Sequence, residues 1–268
     1  MLLRVSRSRR SRIAMLAATT ALALTLTACG QKRMTTGSLA GSGGSPQAQA
    51  QLAKNNSIVE RWAKAYKRDP KDAKVALGYA QALDATGRGD EAAGVYADAV
   101  GHNPNDAELL SAFGRVLAKR KPGPQAIAVL ERADQAGSRD WSAYSALGAS
   151  YDSVGRHDDA QDAYKKALAL KPDEPAILSN MGLSQALAGD IRGAQQTLER
   201  ASAKPMAEPQ VRQNLALVYG MQGKFKEAEA ELAKDLGPAQ AQENVRYMRK
   251  MMSQNNSWDE IKKSRGRG

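Results

Sequence analysis

Cysteine occurs once, at Cys29, which excludes a disulfide framework and any metal site built from several thiolates. Aromatic residues are scarce as well: they make up 5% of the 268 residues, with only two Phe, while Ala, Leu and Gly dominate the apolar fraction. Such a chain is a poor β-sandwich and a good stack of closely packed short helices. Acids are missing from both ends. The formal charge is +11, and seven cations before residue 34 and four after residue 260 account for all of it. Residues 34–260 are therefore balanced, which argues against a basic stripe on the folded body and against nucleic acid as a partner. The apolar run Ile13 to Leu26 is shorter than the roughly 20 residues that cross a bilayer.

That run follows an Arg-rich head and precedes small residues ending at Cys29, the order of an export signal. Leu26-Thr27-Ala28-Cys29 resembles the lipobox of bacterial lipoproteins. The resemblance implies a signal peptide over 1–28, cleaved before Cys29, and acylation of Cys29 as a lipid anchor. Each buried CH₂ contributes about 0.8 kcal/mol, so several chains hold firmly. The alternative is a soluble secreted protein in which the cysteine is incidental or buried. Gly30 stands where lipoproteins retained in the inner membrane often carry Asp, so the resemblance favours the outer membrane, facing the periplasm. Residues 29–51, rich in Gly, Ser, Thr, Gln and Ala, read as a flexible tether with a reach of about 25 Å.

The body repeats every 34 residues, from Ala73, Ala107, Trp141, Pro175 and Pro209. Counting each of these as position one, position eight is Ala80, Gly114, Gly148, Gly182 and Ala216. Position twenty is Ala92, Ala126, Ala160, Ala194 and Ala228. Large residues recur at seven, eleven and twenty-four, and Ala recurs at twenty-seven until Asp235 breaks the pattern. This resembles the tetratricopeptide repeat (TPR), which implies an all-α, right-handed superhelical solenoid of helix-turn-helix units. Five repeats are expected: 73–106, 107–140, 141–174, 175–208 and 209–242. Small residues at eight and twenty let the two helices of a unit approach. Glycine near position fifteen (Gly87, Gly155, Gly189, Gly223) ends the first helix in the left-handed region. Repeat two has Lys121-Pro122-Gly123-Pro124 there, and Pro is tolerated in a first turn.

The array needs ends. Residues 52–72 read as a lone second-type helix opening the stack, 243–256 as a C-terminal capping helix, and 257–268 as a basic tail. Val245, Met248, Met251 and Met252 in the capping segment read as core packing in preference to a binding patch. The tail reads as a solvated end in preference to a contact with anionic lipid.

No catalytic constellation stands out. His102 and His157 lie alone at a turn and a helix start, and Asp158-Asp159 complement a helix dipole. The Gly-rich stretches lack a phosphate-loop lysine, so neither an enzyme nor a cofactor or metal is expected. Solenoids of this kind bind protein segments along the face lined by first helices. In TPR geometry positions two, five, six, nine, twelve and thirteen point there. These are polar early (Lys74, Gln81, Asp84, Glu108, Arg115, Lys119) and apolar late (Leu183, Leu187, Leu217, Met221). The late residues flank Asn180 and Asn214 at position six, whose amides either pair with a ligand backbone or are simply solvated. Leu77 and Gln81 stand where carboxylate-clamp TPRs place lysine, which argues against that recognition mode. The candidate groove is therefore Asn180, Leu183, Leu187, Asn214, Leu217 and Met221.

The segment Pro209 to Phe225, followed by Asp235-Leu236, Asn244 to Arg249 and Ser257-Trp258, resembles the TadD-type TPR lipoproteins of the Tad (Flp) pilus assembly system. The resemblance implies a scaffold that binds or localises the outer-membrane secretin or another pilus assembly component. A TPR adaptor for cell-wall enzymes, or a pilotin for a different secretin, shares the same architecture. Pairing of two arrays through exposed end helices stays open.

Overall fold

Asp72, Asp106 and Asp140 each stand one residue before a helix, and their carboxylates accept hydrogen bonds from the first free backbone N–H groups. These caps start the first helices of repeats one to three. Repeats four and five begin on Glu174-Pro175 and Glu208-Pro209 instead, with Pro in the first turn. The computed structural model describes residues 46–265, and among these every regular element is helical. α1 (Pro46–Arg68) leads. The pairs are α2 (Ala73–Ala85) with α3 (Gly89–His102), α4 (Ala107–Arg120) with α5 (Pro124–Gln135), and α6 (Trp141–Ser153) with α7 (His157–Leu170). α8 (Pro175–Leu187) pairs with α9 (Ile191–Ser202), and α10 (Pro209–Met221) with α11 (Phe225–Ala233); α12 (Pro238–Arg265) closes the series. The signal segment, Cys29 and the tether as far as residue 45 lie outside the described residues.

The turn inside four of the five pairs has one geometry. Gly87, Gly155, Gly189 and Gly223 have φ between 74° and 91°, and the next residue's N–H donates to the carbonyl at position eleven. Arg88 reaches Leu83, Arg156 reaches Tyr151, Asp190 reaches Gln185 and Lys224 reaches Tyr219. Repeat two differs as its sequence requires: α4 runs on to Arg120, Gly123 makes the bend at φ 150°, and Pro124 opens α5.

Packing shows which side chain needs the gap at position eight. A methyl added to Gly148 would lie 2.6 Å from Cε1 of Tyr164, and one on Gly182 would lie 2.6 Å from Cγ of Leu198. Gly114 meets Leu130 in the same way. The partner of position eight is thus chiefly the large residue at twenty-four, although Gly182 also nears the Ala194 carbonyl at position twenty (3.3 Å). Tyr96, Leu130, Tyr164 and Leu198 are at most 2% exposed, and each such burial stabilises the stack by about 1.5–3 kcal/mol. Tyrosine hydroxyls at position eleven tie successive repeats together: Tyr151 donates to Glu131 (2.7 Å) and Tyr219 to Glu199 (2.9 Å).

Both ends depart from the sequence reading. α1 starts at Pro46, inside the stretch expected as a tether, and its later turns pack on α2, where Trp62 fills the space above Gly78. At the other end α11 has nine residues and stops at Ala233, so the boundary expected at 242/243 falls inside α12. Asp235, the residue that broke the alanine pattern, lies beyond α11 and receives two hydrogen bonds from Arg212, at 2.6 and 2.5 Å. Leu236 packs beside it against the last core cluster. The backbone of α12 is helical through Arg265, which takes in most of the expected tail.

Candidate protein-binding face

First helices lie next to one another along the array, and polar contacts between consecutive ones define what their shared face offers. In the early repeats three of the five face charges, Asp84, Arg115 and Lys119, are paired within the array, while Lys74 and Glu108 make no ion pair among the described residues. Lys119 Nζ reaches both oxygens of Asp84 (3.1 and 3.2 Å), and Arg115 Nη1 donates to Ser142 (3.1 Å), with Asp140 3.3 Å from its Nε. These pairs are partly exposed and each contributes only about 0–1 kcal/mol, so they bias the early face towards polar contacts without closing it.

The late repeats are different. Leu187 is 59% exposed, Leu217 42% and Met221 48%, whereas Leu183 is half-buried. They occupy positions nine and thirteen of α8 and α10, neighbouring first helices in direct contact. Large apolar side chains left in water on adjacent helices form a patch rather than scattered exposures.

Asn180 and Asn214 are brought together elsewhere on the same helices. Both line a cleft of about 220 Å³ between the starts of α8 and α10, together with Glu174, Met206, Glu208 and Val211. Asn214 is only 8% exposed and its amide is used within the array: Nδ2 donates to Ser179 (2.9 Å) and Oδ1 accepts from Gln210 (3.1 Å). One N–H and one oxygen lone pair of that amide remain uncommitted where it lines the cleft. Asn180 makes the equivalent, longer contact to Ser145 (3.4 Å). In repeats four and five position six therefore joins a first helix to its predecessor. Sequence reasoning missed this because the partners, at position five of the preceding repeat, are 35 residues away.

His157 is not alone. Its Nδ1 lies 2.8 Å from Asp152, which also accepts from Ser184 (2.8 Å) and from Tyr164 (3.1 Å). Burial, reinforced by the Asp152 charge, pushes the Tyr164 phenol far above its ordinary range. Histidine and serine address the same carboxylate, so no serine–histidine hydrogen bond forms, and the cluster binds repeat three to repeat four. His102 ends α3, 3.9 Å from Asp98. Among the described residues no three of His, Cys, Asp or Glu gather in a way that could hold a metal ion, and no helix is long and apolar enough to cross a membrane.

The methionines of α12 divide. Val245 is 4% exposed and belongs to the core, and Met248 and Met252 lie half-buried against Gly220. Tyr247 (53%) and Met251 (44%) do not: they point to solvent, and the expectation that Met251 belongs to the core is corrected.

Residues 59–112, 141–174 and 175–200 match three tetratricopeptide-repeat family models. No curated protein matches the chain. Among solved structures, YrrB, described as a TPR protein with an unusual peptide-binding site, superposes with a TM-score of 0.56 at 17% identity, over 69% of this chain and 99% of its own. A thermophilic TPR protein in Thermus thermophilus gives 0.52 at 25% identity, over 67% and 97%. MamA gives 0.51 at 24%, over 58% and 85%. The recurring helix pairs, the family models and the shared fold agree that this chain is a tetratricopeptide-repeat protein.

Proposed function

We propose that the chain is a non-catalytic scaffold that captures a segment of a protein partner on the apolar face of α8 and α10, working from a lipid anchor on Cys29 at the periplasmic side of the outer membrane. The observation that carries the binding face is the exposure of Leu187, Leu217 and Met221 on adjoining first helices. Their solvation costs stability, and an apolar surface from a partner would recover it, at roughly 25 cal/mol per Å² before the costs of association. The lipobox-like Leu26 to Cys29 supports the anchor, and the likeness of residues 209–258 to the pilus-assembly lipoproteins supports a pilus secretin as first client.

Detergent-solubilised envelopes offer the test, with the wild type and a Leu187→Glu, Leu217→Glu variant as baits. Enrichment of a secretin by the wild type and its loss in the variant are expected. Capture of cell-wall enzymes with no secretin would replace the client, and equal capture by both baits would move the face. Cys29→Ser should release the protein from the membrane fraction; unchanged fractionation would remove the anchor.

A further inference from the structure

α12 packs against α11 and α10 as α10 packs against α9 and α8, which is the place of a sixth first helix. Its register follows from what it buries. Ala241 and Val245 are at most 4% exposed and Met248 packs on Gly220, a spacing that matches positions three, seven and ten of the other first helices (Val211, Leu215 and Val218 in α10). Met248 meets position twelve of α10 as Ser184, at position ten of α8, meets Asp152 at position twelve of α6. Position one of α12 is then Ala239, 30 residues after Pro209 instead of 34, because α11 is short.

In this register Asn244 falls at position six, Tyr247 at nine and Met251 at thirteen. The same trio, an asparagine followed three and seven residues later by large apolar side chains, stands in α8 (Asn180, Leu183, Leu187) and in α10 (Asn214, Leu217, Met221). Five of the seven exposed large hydrophobic residues of the described chain belong to this one pattern.

We infer that α12 is the third wall of the binding face, not its cap, and that the face holds an amphipathic helix of another protein with an acidic end lying over α12. This rests on the segment-binding reading above and adds its extent, conformation and polarity. Three helices spaced 8–10 Å apart give a strip of about 20 Å. At 1.5 Å per residue it matches a helix of roughly 14 residues. An extended segment would lay most of its own N–H and C=O groups on the apolar side chains of Leu187, Leu217, Met221, Tyr247 and Met251, where they find no partner. A helix satisfies its backbone internally. Polarity comes from Lys250, at position twelve between Tyr247 and Met251: it is exposed, and among the described residues no carboxylate pairs with it. Arg246 and Arg249 add positive charge on the same helix, the first paired to Glu243 and the second over the Phe225 ring. At the opposite end α6 and α8 contain no Lys or Arg, so nothing there draws the acidic end.

The test uses the full chain and three synthetic helical peptides of one length: a leucine-faced helix with glutamates at one end, the same helix with lysines there, and a scrambled control. Fluorescence anisotropy should show the acidic peptide binding about tenfold tighter than either other. Tyr247→Glu with Met251→Glu should weaken it about tenfold or more while the melting curve holds, since both side chains are exposed. Lys250→Glu should reverse the preference between acidic and basic peptides. A photo-reactive group at the acidic end should cross-link to α12, and one at the opposite end to α8. If the α12 variant binds normally while Leu187→Glu with Leu217→Glu does not, the face ends at α10 and the inference falls alone. If neither variant loses binding, the segment-binding reading falls with it. A wild-type dimer in sedimentation that Tyr247→Glu dissociates would make a second copy the occupant and overturn the partner helix.

Discussion

Adding one methyl group at Gly148 and one at Gly94 should move stability in opposite directions. In an ordinary helix Gly→Ala is worth about 0.5–1 kcal/mol, because alanine has less backbone freedom to lose. Gly94 lies in α3 with open space around it, so Gly94→Ala should gain about that amount. At Gly148 the methyl would lie 2.6, 2.7 and 2.8 Å from three ring carbons of Tyr164, where carbon atoms pack best at about 3.5–4.0 Å. Relief requires moving the ring by about 1 Å. Tyr164 is 1% exposed and its hydroxyl is held by Asp152, so there is no space to move into. Overpacking of this kind costs about 1–3 kcal/mol, which exceeds the helix gain and leaves a net loss of about 1–2 kcal/mol. Guanidinium denaturation followed by circular dichroism should place the Gly148→Ala midpoint below the wild type and the Gly94→Ala midpoint above it. Adding Tyr164→Ala, which removes the ring, should reduce the penalty at Gly148, with a coupling above about 0.5 kcal/mol. A Gly148→Ala protein as stable as the wild type would refute the contact between positions eight and twenty-four, and with it the packing rule of the array.

Ala160, fully buried at position twenty, should not accept Leu without a loss of about 1–3 kcal/mol, read as a lower melting midpoint. Arg212→Met should cost about 2 kcal/mol by leaving Asp235 without its two charged hydrogen bonds, and the loss should appear first as faster amide exchange in α11. Alkaline pH should loosen the array. The phenols of Tyr66, Tyr96, Tyr144 and Tyr151 are each pushed up to about 12, by burial first and, for Tyr66, Tyr144 and Tyr151, by bonds to carboxylates. A raised folded value means the stabilisation is complete below pH 10 and is lost as pH climbs towards 12. Helix content and tyrosine absorbance should therefore change together in that window. Tyrosines that ionise near 10 with no loss of helix would contradict the assigned contacts.

Much of the candidate face was legible because the residues proposed to form it repeat. Leu187, Leu217 and Met221 lie at fixed steps from glycines and alanines whose role is steric, so their shared face could be read before any coordinates. Asn214 was legible as a position but not as a function, since its partners Ser179 and Gln210 become partners only when α8 and α10 dock. His157 and Asp152 are five residues apart, yet their contact depends on the turn at Gly155 bringing the start of α7 back beside α6.

By itself the sequence determined the helix-pair unit, its five copies, the places where a side chain cannot fit, and the change from polar to apolar along the first helices. It could do so because a solenoid is held by contacts within a unit and between neighbours, and these recur at constant spacing. Tertiary structure alone decided where the recurrence stops. α11 ends at Ala233, Arg212 and Leu236 hold the chain that follows, and α12 therefore docks four residues early. With that shift Tyr247 and Met251 stand exposed on α12, an outcome set by where one helix terminates and what it packs against, which no fixed period encodes.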